Sequence, residues 1–168
     1  SFALVIGDAF EVGDFIECPS QNLSGTVEDI TMRHTIIRTI NNRRIIIPNS
    51  QMNSYAIENF DFKDNESIKF VYYSVAYEAD IDKAISIIKD EMSKLYHPSS
   101  KEKNKDVEFP KVRVYSWEDS GIKLRAWVWG SSVGEVYENM YKLNYEIKKR
   151  FDKEGIEIPY PHIVAIKK

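Results

Sequence analysis

One cysteine, three histidines, seven glycines and six prolines are spread over 168 residues, and each scarcity argues against a class of function. A lone Cys18 allows no disulfide framework, so a reducing compartment is the simpler reading. Beside Phe15 and Ile16 it reads as a small core hydrophobe, not a reactive thiol. His34, His97 and His162 stand in separate contexts, with no pairing at helical spacing and no companion thiol, which argues against zinc. No glycine-rich loop carries the Lys and Ser/Thr of a phosphate cradle. Glu28, Asp29, Asp61 and Asp64 lack the alternating oxygen spacing of a calcium loop and read as solvated turns. No apolar run reaches the length of a membrane span, the longest near the start being Phe2 to Ile6, and no signal peptide is visible. Positive charge is also short: the net charge is −3 and the pI about 5.7, against the basic face of a dedicated nucleic-acid binder.

What remains is an ordinary globular composition, 43% hydrophobic and 29% charged, long enough for one domain or two small ones. The halves differ: residues 1–65 carry 5 basic and 9 acidic side chains, residues 66–168 carry 18 and 17. The chain starts at Ser1 without Met, inside an apolar element, and so reads as a piece of something longer.

The organising stretch is Gly25 to Ser50. Val27–Thr31, Thr35–Ile40 and Arg44–Ile47 read as strands, the last two joined at Asn41-Asn42, where Asn tolerates the positive φ of a tight hairpin. Gly25 suits a bend or close backbone approach. Pro48 removes a ladder donor and ends the sheet in a turn with Asn49 and Ser50. Phe15–Cys18, after a Gly13-Asp14 turn, and Tyr55–Phe60 supply two more strands. Five short strands in about 50 residues fit a small Sm-like or SH3-like five-stranded β-barrel. Ile36, Ile37, Ile40, Ile45, Ile46 and Ile47 exceed what one inward face holds. Some must point outward, toward another domain or another copy.

Past a polar linker (Asp61–Ser67) the rhythm changes. Ile68–Tyr77 reads as a strand. Asp80 caps a helix with Ile81, Ala84, Ile85, Ile88, Met92 and Leu95 at helical spacing. Val112–Trp117 and Ile122–Trp129 read as an antiparallel pair. Val133–Lys153 reads as a helix burying Val133, Val136, Tyr137, Met140, Leu143, Ile147 and Phe151, closed by Gly155. Ile156–Pro161 and His162–Lys168 are extended, Pro159 and Pro161 forcing an edge or a bend. The order β-α-β-β-α-β is that of a ferredoxin-like sandwich, making the whole an α+β chain. The boundaries expected are 10–65 for the β-domain, 66–161 for the α/β domain and 162–168 for a last strand.

Three patterns bear on chemistry. Gly130-Ser131-Ser132-Val133-Gly134 matches a nucleophile elbow, with Asp152 and His162 following in order. The simpler reading makes Ser132 and Glu135 a capping box. Trp127, Trp129, Tyr72 and Tyr73 on sheet strands raise RNA binding, but without the basic pattern of an RNA-recognition sheet they read as packed under helices or at subunit contacts. Arg33, Arg38, Arg43 and Arg44 read mostly as partners of Glu28 and Asp29, the alternative being anionic lipid headgroups.

The ordered set FEVGDFI (Phe10–Ile16), GTVEDI (Gly25–Ile30), HTIIRT (His34–Thr39), RIIIPNS (Arg44–Ser50), AIENF (Ala56–Phe60) and GIEIPYP (Gly155–Pro161) resembles the cytoplasmic part of the small-conductance mechanosensitive channel family. The resemblance implies a homo-heptamer enclosing a vestibule with side portals, opened by membrane tension on osmotic downshock to release ions and small solutes. It places the full-length protein in the cell membrane with this region on the cytoplasmic side, and aligns residues 1–9 with the tail of the pore helix. The spans are absent here. It implies no enzyme activity, no catalytic residue, no metal and no cofactor. The partners implied are further copies of itself, membrane lipids near the β-domain, and permeating ions and solutes, without nucleic acid. The interface or structural candidates are Gly13, Asp14, Gly25, Thr26, Arg38, Ile45, Ile47, Pro48, Asn49, Asn59, Pro159 and Pro161. An Asp at Ile45 or Ile47 is expected to weaken assembly more than folding. The alternatives are an RNA-binding module and, behind it, a small serine hydrolase.

Overall fold

The computed structural model of the chain describes residues 9–62, 64–99, 107–161, 163 and 165. Two compact units divide it, one ending at Glu66 and one beginning at Ser67. Both are built on antiparallel sheets, and helices join them in the second, so the chain is a mixed α+β protein.

The first unit holds β1 (Phe15–Cys18), β2 (Leu23–Ile30), β3 (His34–Arg38), β4 (Arg44–Pro48), the short helix α1 (Asn49–Met52) and β5 (Glu58–Asn59). The strands form one sheet in the order β4-β3-β2-β1-β5. One rung runs Phe15, Thr26, Arg38, Arg44 across four of them. β2 is longer than the sequence pattern suggests because its first half pairs with β1 and its second with β3, the register shifting between Val27 and Asp29. Alternation along the strands sends Ile16, Cys18, Val27, Ile37 and Ile47 into a core with Phe10 and Met52. Burial there raises the Cys18 thiol pKa, as expected of an inert packed cysteine. The expected strand Tyr55–Phe60 shortens to two residues, because Tyr55 and Ile57 pack onto the core instead.

The second unit holds β6 (Ser67–Val75), α2 (Ile81–Ser93), β7 (Val112–Trp117), β8 (Ile122–Gly130) and α3 (Val133–Glu154), with the sheet ordered β6-β8-β7. Val71, Val75, Val112, Leu124, Ala126 and Val128 share a core with Ala84, Ile87, Ile88, Met92, Leu143, Ile147 and Phe151 of the helices. Asp80 caps α2 by accepting from the Lys83 N–H at 3.0 Å. Gly155, at φ +76°, closes α3 in the left-handed region where glycine carries no Cβ penalty. The apolar stripe of α3 is narrower than expected: Tyr137 is exposed, and Asn139 takes an inner position by donating to the Trp129 carbonyl at 3.0 Å.

The chain after α3 departs from the β-α-β-β-α-β expectation. Ile156 is buried, but Ile156–Pro161 form no strand. The Ala76 N–H donating to the Glu157 carbonyl at 2.8 Å is the backbone bond that ties this stretch to the end of β6. Pro159 and Pro161 have no N–H to extend a ladder. Among the described residues the sheet therefore has three strands. The expected His162–Lys168 strand falls mostly outside the described residues.

Candidate functional site

Because successive strand residues point to opposite faces, the core-facing set Thr35, Ile37, Ile45 and Ile47 leaves Ile36 and Ile46 on the other face. They are cross-strand partners, and Ile46 is 61% exposed where Ile47 is 6% exposed. The surplus of isoleucine is real, but the outward residues are Ile36, Ile46 and the hairpin's Ile40. Ile45 packs against the core and Ile47 belongs to it. The expectation that Asp at Ile45 or Ile47 weakens assembly more than folding meets an obstacle here: both sit on the side the fold itself needs.

Beside this aliphatic pair Arg44 grips Glu28, its Nε and Nη2 each donating to a carboxylate oxygen at 2.8 Å. That hydrogen bonding holds the Glu28 carboxyl below its ordinary range, with the Arg38 charge adding to it. Arg44 also donates to the carbonyl and side-chain oxygens of Asn42, whose φ of +61° makes the hairpin turn. The other arginines differ from expectation. Arg33, Arg38 and Arg43 form no ion pair among the described residues, and Asp29 turns back to accept from the Ile30 N–H.

Gly13, Asp14 and Asn59 come together where the chain enters the sheet. Gly13, at φ +99°, donates to the Val27 carbonyl at 2.8 Å. Asp14 Oδ2 accepts from Glu11 N–H and from Asn59 Nδ2, both at 2.9 Å. Asn59 Nδ2 also reaches the Ala9 carbonyl, and Asp61, at the start of the polar linker, accepts from the Phe15 N–H at 2.7 Å. Gly25 makes the close approach expected of it: a Cβ there would lie 2.4 Å from the Arg38 carbonyl oxygen. Thr26 pairs with Arg38 across the ladder. Pro48 ends β4, and Asn49 is buried behind it, accepting from Thr35 Oγ1 and donating to the Thr31 carbonyl, both at 2.9 Å. The buried Thr35 had no sequence signal, because a threonine in a strand looks like any β-branched residue. In the second unit Pro159 covers Gly121, where a Cβ would lie 2.7 Å from Pro159 Cγ, while Pro161 is exposed.

The nucleophile-elbow constellation does not assemble. Ser132 is the N-cap of α3, accepting from the Glu135 N–H at 3.2 Å, and Glu135 in turn accepts from the Ser131 N–H. Those bonds with Ser131 keep the Glu135 carboxyl below its ordinary range. Asp152 lies near the far end of the same helix, so about 30 Å of helix separates it from Ser132, and it pairs with Lys148 at 2.5 Å. His162 lies outside the described residues. No cluster of metal-ligating side chains occurs among the described residues.

The aromatic residues divide by strand alternation. Tyr73 faces α3 and donates to Asn144 Oδ1 at 2.9 Å, and burial raises its pKa. Phe70, Tyr72 and Trp127 lie on the open face of the second sheet around Arg125, whose guanidinium is 4.6 Å from the Phe70 ring and 4.2 Å from that of Tyr115. Of the expected placements, under helices or at subunit contacts, the first holds for Tyr73 and not for Tyr72 and Trp127.

Residues 1–61 match the family described as mechanosensitive ion channel, beta-domain, and residues 71–158 match mechanosensitive ion channel MscS, C-terminal. An uncharacterized MscS family protein of Archaeoglobus fulgidus is 31% identical over 162 residues, covering 96% of this chain and 54% of that protein. The small-conductance mechanosensitive channel MscMJ of Methanocaldococcus jannaschii is 30% identical over 165 residues, covering 94% and 43%. The chain thus spans about half the length of the curated relatives it matches. The crystal structure of Helicobacter pylori MscS in its closed state superposes at a TM-score of 0.80 and 24% identity, covering 98% of this chain and 62% of that one. Arabidopsis thaliana MSL1 superposes at 0.60 and 18%, covering 95% and 56%. Among the described residues no helix is long and apolar enough to cross a membrane. With both family regions matched in order along the chain, this protein belongs to the MscS family of mechanosensitive ion channels, of which it carries the β-domain and the C-terminal region.

Proposed function

We propose that this chain is the cytoplasmic, vestibule-forming part of a tension-gated channel, assembled as a homo-heptamer in the cell membrane and passing ions and small solutes on osmotic downshock. In this reading the β-unit is a small Sm-like barrel. The second unit is a ferredoxin-like sandwich in which the stretch after Gly155 is held to the end of β6 by the Ala76–Glu157 bond without forming a strand. The membrane-spanning part precedes residue 9. The work is mechanical and steric, and no side chain does covalent chemistry.

The observation that carries the reading is the outward Ile36–Ile46 pair on a β-unit of this family. An outward aliphatic pair, Ile46 exposed and Ile36 half-buried, beside an arginine–carboxylate pair suits a heterologous contact, in which two different patches meet around a ring. Light scattering on the membrane-spanning parent protein is expected to give seven times the subunit mass. Patch recording is expected to give tension-activated currents. A parent that stays monomeric in detergent and silent under suction overturns the proposal.

A second reading uses the open face of the second sheet. Rings and cations on a sheet suit single-stranded RNA. Arg125, Lys111 and Lys123 are, however, already stacked on Phe70, Tyr115, Trp127 and Tyr72. Filter binding at low salt separates the two readings, since phosphate-driven affinity is largest there.

A further inference from the structure

We infer that the tip of the β3–β4 hairpin docks on an anionic lipid surface, Ile40 entering the headgroup boundary while Arg38 and Arg43 meet the phosphates and carboxylates around it. Ile40 is 98% exposed, an orientation the turn imposes. Thr39 N–H donates to the Arg43 carbonyl at 2.8 Å and Asn42 N–H to the Thr39 carbonyl at 2.9 Å. Thr39 Oγ1 donates to Asn41 Oδ1 and accepts from the Arg43 N–H. Arg44 ties down Asn42 from below. The polar groups of the tip satisfy one another and leave Ile40 with no part in the core. A tip ordered in advance loses little freedom when it docks.

The chemistry around Ile40 is cationic. A recess of about 270 Å³ lies beside it, lined by Thr26, Arg38, Thr39, Ile40 and Asn42. Glu28, the carboxylate whose charge Arg38 feels, is already held by Arg44. Arg38 and Arg43 make no side-chain hydrogen bond among the described residues, so their charge is available to anions. One aliphatic wedge ringed by arginines is the pattern of an interfacial contact with acidic lipid.

The register gives the direction. The rung Phe15, Thr26, Arg38, Arg44 is the end of the sheet at which the chain enters β1 and at which the β3–β4 tip projects. The β2–β3 loop, with Met32 also exposed, projects from the other end. This step rests on the reading that the membrane-spanning part precedes residue 9, which makes the Ile40 end the bilayer-facing one. It would place a second anchor at that end, independent of the covalent one.

The test is co-sedimentation of the 168-residue chain with vesicles of phosphatidylcholine, alone or with about a third phosphatidylserine. Binding is expected only with phosphatidylserine. Ile40→Ser is expected to weaken it about tenfold and the Arg38→Gln, Arg43→Gln double variant about twentyfold. Met32→Ser at the opposite end is expected to leave it unchanged, with the melting temperature of every variant kept. Equal loss from Met32→Ser, or no binding at all, overturns the proposal. So does release by inorganic phosphate at matched ionic strength, which would mark a small-anion site. A change in light-scattering mass with Ile40→Ser at unchanged vesicle binding also overturns it, marking a contact between copies. A parent protein that forms its ring while the chain ignores vesicles rejects the tip alone. Vesicle binding without a ring rejects the heptamer alone.

Discussion

Ser132 shows how one residue fits two chemistries until its neighbours are placed. The G-x-S-x-G spelling is shared by a nucleophile elbow and by a helix start, and the local hydrogen bonds decide for the helix start. Ser132→Ala is expected to lower stability by about 1 kcal/mol through loss of the cap, measured by urea unfolding. Labelling of Ser132 by a fluorophosphonate probe would contradict this assignment. Asn49 carries the complementary lesson. As part of a Pro-Asn-Ser turn it was legible in the sequence, but its burial was not. Only the packing of α1 against β3 and β4 brings Thr35 Oγ1 and the Thr31 carbonyl to its side chain.

Elements were legible wherever a period and a cap coincided. Both long helices begin at the acid or serine the sequence marks, because an N-cap is a local hydrogen bond that needs no tertiary partner. What joins them was not legible. Arg150 of α3 bridges Asp90 and the buried Glu91 of α2 and also reaches Glu154, the first two lying 60 and 59 residues away. Arg150→Ala is expected to cost about 1–2 kcal/mol, since Glu91 keeps Lys94 but loses its interhelical partner. The hydrogen bond from Arg150 holds the Asp90 carboxyl below its ordinary value, with Lys94 also favouring its ionised form. A depressed carboxylate contributes stability above its unfolded pKa and loses it as pH falls through its folded one. Acid unfolding below about pH 4 is therefore expected to begin at higher pH in Arg150→Ala than in the parent chain, as followed by circular dichroism.

At the scale of the whole molecule, the outward and the core-facing sides of β4 separate by experiment. Ile46→Asp is expected to change folding by no more than about 0.5 kcal/mol, because the side chain is already in water. It is also expected to weaken subunit association by about tenfold or more. Ile47→Asp is expected to cost more than about 3 kcal/mol, by placing a carboxylate in the core. Denaturant titration beside light scattering reads both, and similar folding losses would mean that the faces are assigned wrongly.

The resemblance to a channel family, the antiparallel strands of the first unit, the helix limits of the second and the surplus of isoleucine all came from the sequence. They rest on short-range spacing, on turn chemistry and on the order of short motifs, which survive without knowledge of the fold. Which isoleucines face out came only from the tertiary structure, because a one-residue choice of register exchanges the two faces of a strand. The same holds for the open aromatic face around Arg125, the bridge from Arg150 to α2 and the end of the sheet at which Ile40 projects. Each depends on residues far apart in the chain, and only strand pairing and helix packing bring those together.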